Sequence, residues 1–225
     1  MNTNTIADHG SSEGLAALSG MVHVVDDDEA VRDSMRWLLE ANGFEVRCFE
    51  SAEAFLATNA LREPVGCLVL DVRMPGLSGL ALQDEMLRRG PTMPVIFVTG
   101  HGDVPIAVDT MKKGAADFLQ KPFSDERLCA LVRECLARAA DSHRLALGAK
   151  ELEERMGRLT GRERQVLERV VAGRLNKQIA DDLGISIKTV EAHRSNIMEK
   201  LHAGSMAELM RIAVRARVGV AAADH

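Results

Sequence analysis

The chain predicts two folded parts: an α/β part built on a doubly wound, five-stranded parallel sheet, and after it a small all-α part of four helices. Three observations predict this. Through residues 21–140, short apolar runs that close on polar residues alternate with apolar residues at helical spacing, the pattern of parallel strands joined by crossover helices. From Leu159 onward the strand-like runs cease and capped helical patterns replace them. Charge divides in the same place: residues 1–154 carry 15 Lys and Arg against 25 Asp and Glu, net −10, and residues 155–225 carry 13 against 8, net +5. A chain of 225 residues is long enough for two such cores.

Residues 1–20 are rich in Asn, Thr, Ser and Gly and lack the basic start and apolar stretch of a signal peptide, so a flexible tail is expected. The first strand is Val22-His23-Val24-Val25, closing on Asp26-Asp27-Asp28. A helix over Asp33–Ala41 follows, with Met35, Leu38 and Leu39 on one face and Asn42-Gly43 as its stop. Ser51 caps a helix reaching Asn59. Gly66-Cys67-Leu68-Val69-Leu70-Asp71 is a buried strand ending on a carboxylate, and the helix Ser78–Arg89 comes after it. Pro94–Val98 closes on Thr99-Gly100 and precedes a helix over Val104–Gly114. Ala116–Gln120 closes on Lys121-Pro122-Phe123 and precedes a helix from Ser124 to about Ala140. The α/β part is thus bounded at residues 21–140.

Residues 141–158 read as a partly helical linker. Leu145, Leu152 and Leu159 stand seven apart, a spacing that pairs helices, but Gly148 interrupts and an amphipathic linker lying on its own domain is an equal reading. Residues 159–218 form the second part. Thr160 precedes Glu163 at capping-box spacing and Gly173 closes that helix. Asn176–Leu183 and Ile187–Leu201, joined through Gly184-Ile185-Ser186, form a helix-turn-helix, and Met206 to about Arg217 is the last helix. Residues 219–225 are a short tail. The four cysteines form no CxxC pair, which points to free thiols in a reducing cytoplasm, and no apolar stretch is long enough to span a membrane.

In an open parallel sheet, ligands bind outside the carboxyl ends of the strands. Here those ends supply the carboxylates of Asp26, Asp27 and Asp71, the hydroxyl of Thr99 and the ammonium of Lys121. Clustered carboxylates suit Mg²⁺, which pairs with phosphate oxygens. Thr99 and Lys121 complement the oxygens of a phosphoryl group carried on Asp71. The set reads as a phosphoryl-accepting site, because such transfer is mostly positioning and charge neutralisation.

In the helix-turn-helix, Ile179, Ala180, Leu183, Ile185, Val190, Ile197 and Leu201 lock the helices together, which turns Lys188, Thr189, Glu191, Ala192, Arg194 and Ser195 outward. Side chains near the start of such a helix meet base edges in the major groove while flanking cations meet phosphates. The basic balance of this half agrees with nucleic acid as partner.

The order Asp-Asp, Asp-Val-Arg-Met-Pro-Gly, Thr-Gly, Lys-Pro-Phe over roughly residues 20–140 resembles the receiver domain of bacterial two-component response regulators, a flavodoxin-like fold. The resemblance implies Asp71 as phosphoacceptor, Asp26 and Asp27 as the metal-binding acidic pair, Thr99 as the switch hydroxyl, Lys121 as the phosphoryl-contacting lysine and Phe118 as the aromatic switch residue. The segments Leu-Thr-x-Arg-Glu, Asn-Lys-x-Ile-Ala and Lys-Thr-Val-x-x-His-Arg-x-x-Ile resemble the LuxR-type domain of NarL and FixJ regulators. That implies base contacts by Glu191, Ala192 and Ser195, and phosphate or groove contacts by Asn176, Lys177, Lys188, Thr189 and Arg194. Pairing of Glu191 with Arg194 or Lys188 is an equal reading. His193 reads as a helix-packing residue.

The segments His101-Gly102-Asp103-Val104-Pro105 and Asp117–Phe123 place the chain nearest the FixJ and StyR subgroup. This implies a sensor histidine kinase as donor, Mg²⁺ as cofactor, homodimerisation on phosphorylation through the helix at Val104–Gly114 and the strand after it, and promoter DNA and RNA polymerase as partners. An enzyme that turns over an external substrate is not expected: a haloacid-dehalogenase-like phosphatase needs a second carboxylate two residues after its nucleophile, and Arg73 stands there. The alternative is a DNA-binding regulator with a vestigial receiver, independent of phosphorylation. His101 and Arg73 flank the site and are candidates for tuning water access to it.

Overall fold

The computed structural model describes residues 20–90, 93–100, 104–216 and 218. The tails expected at 1–20 and 219–225, apart from Gly20, lie outside these residues, as does His101. The chain divides into two compact units, residues 1–143 and 144–225.

Among the described residues of the first unit, β1 (Met21–Val25), β2 (Glu45–Phe49), β3 (Gly66–Asp71), β4 (Val95–Thr99) and β5 (Asp117–Gln120) form one parallel sheet in the order β2-β1-β3-β4-β5. Strand residues two apart share a face, so the sheet has two cores. Val22, Val24, Cys67, Val69, Ile96 and Val98 meet Met35 and Leu39 of α1 (Glu29–Ala41) and Leu128, Val132 and Leu136 of α5 (Asp125–Gly157). Val25, Leu68, Leu70, Val95 and Phe97 meet Phe55 of α2 (Ala52–Leu56) and Leu82 and Met86 of α3 (Gly79–Arg89). β3 and β4 are buried along their whole length, as a sheet covered on both faces requires. Among the described residues of this unit, α4 (Val104–Lys112) is the remaining α-helix.

α1 begins four residues earlier than its apolar pattern indicates, because Asp28 caps it: its Oδ1 accepts from the N–H groups of Ala30 and Val31 at 2.9 and 3.3 Å. α2 is shorter than expected and ends at Leu56, with a turn of 3₁₀ helix at Ala60–Arg62. Trp37 lies on the outer side of α1 and is 75 % exposed. His23, by contrast, is fully buried: its Nε2 meets Glu63 Oε2 at 3.0 Å, and its ring packs against Phe49 and Phe55.

α5 does not stop near Ala140. It runs unbroken to Gly157. No proline interrupts residues 125–157, and Gly148 costs only about 1 kcal/mol relative to alanine, which the surrounding Ala, Leu, Glu, Lys and Arg residues offset. The leucine heptad dissolves accordingly. Leu145 is 63 % exposed, Leu152 is half-buried, and Leu159 belongs to the core of the second unit.

That second core gathers Leu159, Val166, Leu167, Val170, Ile179, Val190, Ile197, Leu201 and Leu209 from α6 (Gly161–Val171), α7 (Asn176–Leu183), α8 (Ile187–Leu201), α9 (Met206–Arg215) and the segment before them. Residues 144–225 contain no Phe, Tyr or Trp, so the packing is wholly aliphatic. α6 opens on the expected capping box: Glu163 N–H donates to Thr160 Oγ1 at 3.2 Å, and Thr160 N–H donates to Glu163 Oε2 at 2.7 Å. The same carboxylate, nearly fully buried, takes Lys200 Nζ at 2.9 and 2.7 Å, which binds α6 to α8. Gly184, with φ +64°, ends α7, and Ser186 caps α8.

Candidate functional site

The sheet reverses its winding between β1 and β3, and the crevice outside their carboxyl ends is where polar side chains collect. Register makes this unavoidable. Val25 pairs with Leu70, Asp71 with Val98 and Thr99 with Gln120, so the residues that close each strand come level with one another. Asp26 and Asp71 are 2 % and 8 % exposed, and the ammonium of Lys121 bridges them at 2.8 Å to Asp26 Oδ2 and 3.3 Å to Asp71 Oδ1. The second oxygen of each is also held: Asp26 Oδ1 accepts from Asp28 N–H at 2.9 Å, and Asp71 Oδ2 accepts from Arg73 N–H at 2.7 Å. Thr99 is buried, and its carbonyl accepts from Lys121 N–H at 2.8 Å, which fixes the root of the lysine. Phe118 is half-buried against the α2 and α3 side of the sheet.

Burial raises the Asp71 carboxyl above the ordinary aspartate range, against the pull of Arg73 N–H and Lys121. Burial alone would lower Lys121, but its bonds to Asp26 and the charges of Asp26 and Asp71 outweigh it and hold the ammonium on the charged side. The result is an oxygen nucleophile at the sheet edge with a fixed cation beside it, an arrangement that can accept an electrophilic phosphorus.

The structure brings Asp26 and Asp71 together but leaves Asp27 exposed. Among the described residues no three His, Cys, Asp or Glu side chains are close enough to hold a metal ion. Of the acidic triad expected from the sequence, Asp26 and Asp71 are bridged by Lys121, and Asp27 stands apart from them on the exposed side. The donor set still fits Mg²⁺: it is all oxygen, its buried carboxylates outnumber the one cation between them, and that cation shows that positive charge is accommodated there.

Two residues that frame this site escape sequence reasoning. A methyl group on Gly79 would lie 3.1 Å from the Asp71 carbonyl carbon and 3.2 Å from Leu70 Cγ, so α3 starts directly on the backbone of β3. Glu53 of α2 reaches across and accepts from Leu77 N–H at 2.8 Å, beside Gly76 at φ +74°, and so holds the loop that follows Asp71. A glycine at the start of a helix signals a close approach, but only the fold says to what. Nothing in the sequence marks Glu53.

In the second unit, Lys177, Lys188, Thr189, Glu191, Ala192 and Ser195 are exposed, on α8 and at the start of α7. Thr189 Oγ1 lies 2.7 Å from Ser186 Oγ at the N-terminus of α8. Arg194 differs from its neighbours. It is half-buried, and its guanidinium goes to Asn176 Oδ1 at 2.6 Å and to Met206 Sδ at 3.8 Å rather than to Glu191. His193 is half-buried on the same helix.

Residues 22–133 match the response regulator receiver domain, and residues 158–213 match the LuxR family of bacterial regulatory proteins. The transcriptional regulatory protein FixJ of Azorhizobium caulinodans is 53 % identical over 203 residues, covering 90 % of this chain and 95 % of that protein. The chain belongs to the two-component response regulators. Response regulator TodT of Pseudomonas putida is 43 % identical over 197 residues, covering 88 % of this chain and 86 % of that one. The structure of response regulator StyR superposes with a TM-score of 0.83 at 43 % identity, covering 87 % of this chain and 98 % of that chain. As a FixJ-like response regulator, this protein joins a CheY-like receiver to a LuxR-type DNA-binding domain and regulates transcription. The family gives no support to a receiver that works without phosphorylation. Among the described residues no helix is long and apolar enough to cross a membrane.

Proposed function

We propose that a sensor histidine kinase phosphorylates Asp71 and that the phosphorylated chain dimerises and binds promoter DNA from the cytoplasm. The observation that carries this reading is the meeting of Asp26, Asp71 and Lys121 at the β1/β3 crevice. An oxygen of Asp71 attacks the phosphorus of a phosphohistidine; the N–P bond breaks, an O–P bond forms, and the histidine nitrogen leaves with the electron pair. Asp26, Asp27 and Asp71 are the residues that would hold Mg²⁺. When bound, that ion supplies positive charge against the phosphoryl oxygens. Lys121 then turns from bridging Asp26 and Asp71 to holding a phosphoryl oxygen, Thr99 binds another, and Phe118 follows Thr99 inward.

Asp71 receives one phosphoryl group and turns over no external substrate, so the chain is a switch and not an enzyme. Phosphorylation acts by preferring the active state. The receiver spans residues 21–140 and dimerises through α4 and β5; exposed Val108 and Met111 on α4 support that face. In the domain spanning 159–218, Glu191, Ala192 and Ser195 meet base edges, and Asn176, Lys177, Lys188 and Thr189 meet the backbone. Two such domains held together bind paired half-sites more tightly than one, and on the promoter they contact RNA polymerase.

The test is incubation with acetyl phosphate and Mg²⁺, followed by intact mass and oligomeric state, beside Asp71→Asn. Gain of one phosphoryl group with dimer formation, both lost in the variant, is expected. Incorporation that persists in Asp71→Asn refutes the assignment.

A further inference from the structure

We infer that Arg194 is not a DNA contact but a positioning residue, a strut that orients Asn176 so that the amide of Asn176 donates to the DNA backbone. The inference rests on the reading of α7 and α8 as the DNA-binding pair. Sequence alone groups Arg194 with the outward residues of α8. In the structure its side chain turns back: Nη1 donates to Asn176 Oδ1 at 2.6 Å, and Nη2 approaches Met206 Sδ at 3.8 Å. Asn176 is the first residue of α7 and Met206 the first of α9, so one guanidinium ties α8 to the starts of two other helices.

Chemistry fixes the amide. A guanidinium only donates, so Asn176 must face it with its oxygen, and Nδ2, which takes no partner among the described residues, is the donor left over. The start of α7 favours an anion at that donor. Leucine stands in the cap position, 70 % exposed and unable to accept an N–H, and Lys177 is exposed alongside. An amide presenting oxygen there would repel a phosphate, whereas one presenting Nδ2 binds it. Arg194 selects between the two. A cation whose two terminal nitrogens are turned back onto Asn176 and Met206 is directed away from a phosphate and does not add to the count of phosphates neutralised.

That last point separates a strut from a contact. Each phosphate neutralised by Lys or Arg contributes about 0.9 to the slope of log affinity against log salt. The probe is a labelled duplex enriched by the acetyl phosphate-treated wild-type chain from a random-sequence pool, measured over a salt series by anisotropy. Arg194→Met is expected to weaken binding about tenfold with an unchanged slope, and Arg194→Lys, which keeps the charge but not the fork, to behave like it. Lys177→Met should lower the slope by about 0.9. Asn176→Ala and the double variant Asn176→Ala, Arg194→Met should lose no more together than either does alone. Asn176→Asp keeps the acceptor for Arg194, and therefore the fold, while removing the donor; it should bind more weakly than Arg194→Met with its thermal midpoint intact.

A slope lowered by about 0.9 in Arg194→Met, additive losses in the double variant, or wild-type binding by Asn176→Asp each overturns the strut while leaving DNA binding in place. Failure of the wild-type chain to enrich or bind any duplex removes the DNA-binding reading and the strut with it.

Discussion

Replacing Gly79 with alanine gives a result whose sign, not only its size, tests the architecture of the receiver. Gly79 has ordinary helical backbone angles, and in open space the change would stabilise the chain by about 0.4–1 kcal/mol, because alanine restricts the unfolded state. The space is not open. The added methyl would stand 3.1 Å from the Asp71 carbonyl carbon and 3.2 Å from Leu70 Cγ, and both neighbours belong to a strand buried along its whole length. The Asp71 carbonyl oxygen lies nearer still, inside any allowed contact, and the buried strand cannot yield, so α3 must lift away from it. Leu82 and Met86, fully or almost fully buried under α3, then lose contact with the sheet. Forcing a methyl into a packed site of this kind costs about 1–3 kcal/mol. Differential scanning calorimetry should show the receiver transition lowered by about 4 °C or more. Because α3 and the loop before it start directly on the backbone of Asp71, phosphoryl incorporation from acetyl phosphate should slow as well. A midpoint that stays level or rises would refute the contact, and normal incorporation in a destabilised variant would refute its link to the site.

Other expectations follow from the same geometry. Glu163→Gln deprives Lys200 of its carboxylate and weakens the capping box; with Lys200 still one-third exposed the loss belongs at the low end for a buried pair, about 3 kcal/mol, read by urea unfolding of the LuxR-type domain. Glu163 also sets an acid limit: burial raises its carboxyl, but Lys200 and the Thr160 groups pull it further down, so its stabilisation is present above the ordinary value of 4.5 and is lost as pH falls through the lower native value. His23 acts at milder pH. Burial holds its imidazole below 6.5 against the pull of Glu63, the unfolded chain binds the proton first, and receiver stability should fall as pH drops below 6.5, a slope that His23→Gln should flatten. Glu53→Ala frees Leu77 N–H and should change the rate of acetyl phosphate incorporation while leaving the thermal midpoint of the receiver close to wild type, and Glu53→Gln, which keeps an acceptor, should restore the rate.

The strand ends were legible because a buried parallel strand must be apolar throughout and must stop where it becomes polar; Asp71, Thr99 and Lys121 stand out for that reason. β2 was the exception. Glu45 and Arg47 alternate with its apolar residues, as suits a strand at the sheet edge, and so it presents no apolar run. Spacing gave the helices but placed their ends poorly. Asp28 reads as part of an acidic cluster, yet its carboxylate is spent on capping α1. The stop near Ala140 rested on the end of an apolar pattern rather than on a helix breaker, and no breaker exists there. Arg194 shows a different limit: helical periodicity gives the direction in which a side chain leaves the helix, but a long side chain can turn back, and only a partner such as Asn176 reveals that it does.

The exposure of Trp37 on α1 has a spectroscopic consequence. It is the one tryptophan of a chain without tyrosine, and every phenylalanine lies in the receiver, so the LuxR-type domain is optically silent in the aromatic ultraviolet. Emission excited at the red edge of the indole band reports on the surface of a single receiver helix in largely aqueous surroundings. A change in that emission when duplex DNA is added therefore reports an event at the surface of the receiver. The native chain carries its own reporter for communication from output back to input, without a label.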